Sequence, residues 1–249
     1  VINIQQSKTV AIVGLDRSVT NAIDLDLVTE LSETLEHLRD DDDSRAIVLS
    51  SASDKFFSIG WDIPGLYDLT EAEFRLFYQA YNGLCMTLYT IPKPTVAAIT
   101  GHAIAGGCIL TLCCDVRVIA EGRTLMGLNE VLLGVPVPYP GDRILRDLVG
   151  ARIAREVMEI GAFHEAAALL EMGVVDRVVP REMLRDTAVD AAHSMGGLPA
   201  PAYTVIKRNR TEIVEVLARS RRGEKEDAFI ELWYAPETRK RLKAAMDKF

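Results

Sequence analysis

Apolar positions along the chain fall into two kinds of pattern. Short β-branched runs, bounded by polar or turn residues, stand at 9–15 (TVAIVGL), 46–50 (AIVLS), 95–100 (TVAAIT) and 115–120 (DVRVIA). Each predicts a β-strand. Between the first two, Leu25, Val28, Leu31, Leu35 and Leu38 recur at helical spacing and predict an amphipathic helix, closed by the acidic run 40–43. Such a run at a helix end reads as a solvated turn and is given no function. A second helix is predicted over 71–90, stopped by Ile91-Pro92-Lys93-Pro94. After about residue 145 one strand candidate remains, at 173–179; the rest reads as helices punctuated by 196–201 (GGLPAP), Gly223 and Pro236. The pattern predicts an α/β body followed by a helical C-terminal part, without tandem repeats or low-complexity segments.

Composition narrows this picture. A chain of 249 residues that is 49% hydrophobic, with no apolar run long enough to span a bilayer, predicts a soluble globular protein. It would form one large domain, or a main domain plus an appendage. A net charge of −8 speaks against nucleic acid as a partner, because phosphate binding needs a basic stripe. No signal peptide or polybasic arm opens the sequence at Val1. Cys85, Cys108, Cys113 and Cys114 show no C-x-x-C spacing, and the last three have apolar neighbours. They read as small buried thiols in the cytoplasm or another reducing compartment. His37, His102, His164 and His193 are scattered, so no metal site is expected.

Three stretches carry candidate chemistry. In 102–120 the pair Gly106-Gly107 opens an apolar run that reads as a buried helix leading into a strand. Glycine inside a helix costs about 1 kcal/mol against alanine. The pair therefore serves either close packing against a neighbouring strand or the presentation of free N–H groups to something negative. In 55–66 a strand-like run stops at Gly60 and enters a helical turn that Asp62 is placed to cap. Two such turns facing each other would aim two N–H groups at one point, which is an oxyanion hole. In the third stretch Glu130 stands among Leu125, Met126, Leu128, Val131, Leu132 and Leu133. An isolated glutamate on an amphipathic segment is ordinarily a surface residue. Buried by these neighbours, it would have a raised pKa suited to a general acid or base.

Together these stretches resemble the crotonase (enoyl-CoA hydratase/isomerase) superfamily. Its F-[SA]-x-G-x-D-[IL] signature stands here as Phe57 to Ile63. Its A/G-G-G-C-x-L segment, running to C-D-x-R, stands as Ala105 to Leu110 and Cys114 to Arg117. Gly127 to Gly134, residues 165–180 and the asparagine of 19–24 match three further elements, and the resemblance runs from about residue 9 to the C-terminus. It implies an α/β fold: a spiral of β-β-α units over about 1–195, then a helical trimerisation region over 196–249. The assembly it implies is a homotrimer or a dimer of trimers.

The same resemblance implies a coenzyme A thioester as substrate, with no bound cofactor. The oxyanion donors would be the N–H groups of Trp61 and Gly106, with Gly106 leaving room for the thioester carbonyl. CoA would lie across the 58–64 turn, with backbone carbonyls near Ser58 and Ile59 meeting the adenine. Gly60, Asp62, Ile63, Ile109 and Asn129 complete the implied substrate-binding set. Lys207, Arg208, Arg210, Arg239, Lys240, Arg241 and Lys248 are candidates for the CoA phosphates, none singled out. Phe229, Leu232, Trp233 and Tyr234 form an apolar patch that signals packing against another chain or the body.

Hydratases of this family resemble one another in using two glutamates. The first lies three residues beyond the oxyanion glycine, where this chain has Ile109; the second aligns with Glu130. Dienoyl-CoA isomerases carry an aspartate eight residues further on, where this chain has Pro138. The mitochondrial-type Δ3-Δ2-enoyl-CoA isomerases look closest, sharing A-G-G-C before an apolar residue and the sequence Gly127-Leu128-Asn129-Glu130. One base among apolar residues suits taking a proton from C2 and returning one to C4, with Glu130 as that base. Hydration, thioester hydrolysis and non-catalytic acyl-CoA binding stand as alternatives, separated by whether Glu130 lines the cavity. Trp61 stands where the family often has alanine or leucine, and its indole would either shorten the acyl pocket or turn outward.

Overall fold

In the computed structural model, which describes residues 1–247, strands β1 (Ile2–Ser7) and β2 (Val10–Leu15) form an antiparallel hairpin. Helix α1 (Leu25–Asp40) then leads to β3 (Ala46–Ser51), which pairs parallel with β2. From β3 onward the chain repeats one unit: a strand in a large sheet, a short strand in a small sheet, then helix. The first unit is β3, β4 (Phe56–Ser58), α2 (Ile63–Tyr67) and α3 (Glu71–Thr90). The second is β5 (Thr95–Ile99), β6 (His102–Ile104) and α4 (Gly106–Leu112). The third is β7 (Val116–Ala120), β8 (Leu125–Gly127), α5 (Glu130–Leu133) and α6 (Tyr139–Ile160). Next come β9 (His164–Glu165), α7 (Ala166–Glu171), β10 (Arg177–Val179) and α8 (Arg181–Gly196). Three helices end the chain: α9 (Ala200–Ser220), α10 (Arg222–Tyr234) and α11 (Pro236–Met246). The large sheet runs β1-β2-β3-β5-β7-β10 and the small one β4-β6-β8-β9. This is the expected spiral of β-β-α units.

The continuous apolar runs have a physical cause in this arrangement. Alternate residues of the large sheet point to opposite faces, and both faces are buried. Ala11, Val13, Ile47, Leu49, Ala97 and Ile99 enter the main core with α1 and α3. Val10, Ile12, Val48, Val96, Ala98 and Val118 pack against Leu184, Ala188 and Ala192 of α8. The edge strand β1 was not among the sequence expectations, because its Gln5 and Gln6 are exposed and its pattern is polar. Over 173–179 only Arg177–Val179 is strand; Val174 and Val175 are buried in the turn before it.

Helices α9 to α11 pack on the same chain, α9 on α3 and α6, α10 on α3, and α11 on α2 and α5. Phe229 and Trp233 are fully buried in the chain's own core, with Trp233 stacked on Phe74 at 4.3 Å between ring centroids. The apolar patch read from the sequence is therefore covered by the body; Leu232 alone of its four residues stays exposed. Of the candidate phosphate cations, buried Lys207 donates to Asp115 at 2.7 Å, Arg210 pairs with the same carboxylate, and Arg239 lies on the Tyr67 ring. These three fasten the helical tail to the body. Lys248 lies outside the described residues.

Candidate active site

The turn after β4 is built by buried polar side chains. Asn21 takes the Arg17 N–H on its Oδ1 at 2.8 Å, and its Nδ2 donates to Ser51 Oγ at 2.8 Å and Phe57 O at 3.1 Å. Ser58 Oγ donates to Asn21 O at 2.7 Å and accepts the Gly60 N–H at 3.1 Å. The turn then crosses a parallel bridge, in which the Ile23 N–H meets Gly60 O and the Asp62 N–H meets Ile23 O. Backbone alternation across such a bridge turns the Trp61 N–H to the opposite side. Gly60 has φ +93°, and a Cβ there would stand 2.9 Å from Ile104 O and 3.2 Å from the Gly106 nitrogen. Only glycine meets both demands. Asp62 caps α2 through the Gly65 N–H at 3.3 Å, and Arg17 joins it to Asp24, the cap of α1, at 2.8 and 2.7 Å.

The second turn lies against the first. Ala105, ahead of α4, is a non-glycine residue at φ +47°, ψ −119°, a conformation that costs on the order of 1–3 kcal/mol. Its N–H donates to Gly127 O at 2.9 Å and its carbonyl takes the Ile109 N–H at 3.0 Å, which hold it there. Gly106 is the first residue of α4, where a helix leaves its N–H groups free. Among the described residues neither the Trp61 nor the Gly106 N–H has a protein acceptor. A Cβ on Gly107 would stand 2.5 Å from Ser58 O, so this glycine serves close packing. A Cβ on Gly106 would stand 2.8 Å from Trp61 Cδ1 and 3.2 Å from Tyr81 Oη, so the first crowding there is with the indole. Tyr81 Oη donates to Gly106 O at 2.7 Å from behind.

Both turns open on a cleft of about 790 Å³, whose far wall carries Glu130. Glu130 is the first residue of α5 and is buried at 6% exposure. Its Oε2 has no hydrogen-bond partner. Burial pushes its pKa up to about 8, opposed by its own backbone N–H. Leu132, Leu133, Val135, Pro138, Phe229 and Trp233 supply the apolar wall around it. Asp62 is the other carboxylate lining the cleft among the described residues, and Arg17 neutralises it.

Of the residues singled out in the sequence, Ile59, Trp61, Asp62, Ile63, Gly106, Asn129 and Glu130 line this cleft. Three do not. Ser58 is fully buried with its carbonyl against Gly107, so it forms the turn from beneath and its carbonyl is not offered to a ligand. Gly60 is the hinge of the turn. Ile109 is fully buried, and a Cβ on Gly141 of α6 would stand 2.9 Å from its Cδ1. Its side chain is held behind the wall by α6. Three further residues shape the site without a local mark in the sequence. His102 lines the cleft and accepts the Leu125 N–H on Nδ1 at 3.0 Å; burial, then Lys55 and Arg123, lower its pKa. Arg17 was a plain loop cation, and Ala105 carries no mark of a positive φ. Among the former candidate cations, Arg241 of α11 lines the cleft.

A family model described as enoyl-CoA hydratase/isomerase matches residues 5–249. The human mitochondrial enoyl-CoA delta isomerase 1 (Homo sapiens) is 32% identical over 199 residues, 80% of this chain and 66% of that protein. The chain thus spans just under two thirds of that relative's length. A short-chain-enoyl-CoA hydratase of Clostridium acetobutylicum is 30% identical over 193 residues, 77% of this chain and 74% of that protein. The crystal structure of human mitochondrial Δ3-Δ2-enoyl-CoA isomerase superposes with a TM-score of 0.96 at 27% identity, covering 99% of this chain and 97% of that one.

Proposed function

This chain belongs to the enoyl-CoA hydratase/isomerase family, and we propose that within it the protein is an isomerase. It moves the double bond of a 3-enoyl-CoA thioester to the 2,3 position. The observation that carries this reading is Glu130: a buried carboxylate on the cleft wall, with Oε2 unpartnered and a pKa raised to about 8. A non-catalytic binder gains nothing from burying an unpaired carboxylate, which is costly to desolvate. Ionised Glu130 takes the proton from C2, the electron pair moves into an enolate, and the same carboxyl returns a proton to C4. The Trp61 and Gly106 N–H groups receive the enolate oxygen. The apolar wall keeps water from quenching the enolate.

Hydration needs a second group to activate water, and the place of that glutamate is taken by Ile109, packed against Gly141. Isomerisation of 3-hexenoyl-CoA, followed by thioester absorbance, is therefore expected to exceed hydration of 2-hexenoyl-CoA by at least about a hundredfold. Hydration that matches isomerisation would make the hydratase reading the better one. A trimer belongs to the same proposal, supported by Val205, Ile206, Ile213 and Val216, which are exposed along α9.

Arg17 is a positioning residue in this reading, because it ties together the two caps that flank the Trp61 turn. Arg17→Ala is expected to lower kcat about ten- to a hundredfold through misplacement of that N–H, with a smaller effect on KM. Arg17→Lys, which has the charge without the planar fork, is expected to recover part of the loss. Equal kinetics in all three proteins would show that the turn holds its place without Arg17.

A further inference from the structure

The side chain of Trp61, unlike its N–H, has no part in the proton transfer. Its indole sits in a box of six aromatic rings, edge-on to Phe77 and Tyr81 with both centroids at 5.2 Å. Phe229 follows at 5.5 Å, Tyr78 at 6.0 Å, and Phe74 and Trp233 at 6.1 Å. All six are fully buried members of α3 and α10. The Cδ1–Nε1 edge of the indole occupies the space over Gly106, 2.8 and 2.9 Å from where a Cβ would stand. The indole thus separates the two turns from the four rings of α3, which do not line the cleft, whereas Phe229 and Trp233 of α10 reach the cleft wall beside it. Its Nε1 is sealed from solvent and has no acceptor. A donor left unpaired is a net loss, so the side chain acts there through its volume.

We propose that the Trp61 indole is a specificity-determining plug that closes the aromatic box to the acyl chain and confines the enzyme to short-chain 3-enoyl-CoA thioesters. This inference rests on the isomerase reading. An acyl chain whose carbonyl is held at Trp61 and Gly106 meets the indole when it extends toward α3 and α10. In that direction methylenes find the space among the α3 rings already filled by the indole, and the burial that would favour a longer substrate is not made there. With the indole removed, the vacated space is bounded by aromatic rings, stays dry and can receive methylenes.

The test compares kcat/KM for 3-hexenoyl-CoA and 3-dodecenoyl-CoA in the wild type, Trp61→Phe and Trp61→Ala, each checked for folding by circular dichroism. The wild type is expected to favour the hexenoyl thioester. Trp61→Ala is expected to shift the ratio toward the dodecenoyl thioester by at least about tenfold, while Trp61→Phe, which keeps a ring in the box, holds most of the wild-type ratio. A wild type that prefers the long chain, or a Trp61→Ala ratio that does not move, overturns the proposal. Where Trp61→Ala does not fold, Trp61→Leu carries the same comparison. Calorimetric binding of hexanoyl-CoA and dodecanoyl-CoA reads the ratio without turnover. A shift in binding without isomerisation in any variant would sink the isomerase reading and leave the plug standing.

Discussion

Replacing Glu130 with glutamine is expected to lower kcat/KM for isomerisation of 3-hexenoyl-CoA by about 10² to 10⁴-fold, because the shape is kept and the base is lost. The wild-type pH profile provides an independent check. In the proposed mechanism Glu130 acts as a carboxylate, and burial holds its pKa at about 8. The rate should therefore rise with pH, with a midpoint near that value, and level off above it. The same burial has a stability signature of definite sign. The folded pKa is raised from 4.5, so the native state binds the extra proton between about pH 4.5 and 8 and the unfolded chain does not. This group's contribution to stability is complete below the unfolded value and is lost as pH rises through the folded one. At pH 9 the glutamine variant should then be more stable than the wild type, by on the order of 2–4 kcal/mol, in chemical denaturation. A variant that isomerises at the wild-type rate would leave the single-base mechanism without its base.

Much of this site was legible from residue types because burial and capping leave marks in the sequence. Apolar neighbours on both sides of Glu130 forecast its burial, and Asp62 was identifiable as a cap because it follows a run that stops at a glycine. The glycine pair divides between its two readings. Gly107 is packed against Ser58 O, whereas Gly106 opens a helix with an unpaired N–H. What hid from the sequence lives in tertiary relations. Alanine carries no mark of the φ of +47° that Ala105 adopts; Gly127 O, from the neighbouring strand, imposes it. Arg17 stands 45 residues from Asp62, and nothing local predicts that they meet. Ile109 and Ser58 were expected at the substrate because the motif contains them, yet α6 and Gly107 hold them behind the wall. The direction of the Trp61 ring was open in the sequence and is decided by aromatic residues of α3 and of α10, the latter at the far end of the chain.

Gly106→Pro, which deletes one of the two proposed oxyanion donors, is expected to lower kcat by about 10² to 10³-fold, equivalent to about 3 kcal/mol of transition-state stabilisation. The loss should fall on kcat more than on KM, because the negative charge on the oxygen develops only as the C2 proton leaves. Proline at this position removes an N–H that the helix itself does not use, since Gly106 is the first residue of α4. Two side effects accompany the change. A Cβ there meets Trp61 Cδ1 at 2.8 Å, and the ring restricts Ala105, which already holds a positive φ. Gly106→Ala separates these contributions, for it brings the same Cβ and keeps the N–H. It is expected to lose within about tenfold, the scale of a small displacement of the indole and the turn. The further drop from alanine to proline, measured on proteins with matching circular dichroism, then isolates the missing donor. Trp61 would remain to receive the oxygen, so a residual rate above that of Glu130→Gln is expected. Equal kcat in the alanine and proline variants would remove Gly106 from the oxyanion hole and leave the Trp61 N–H as its sole backbone donor.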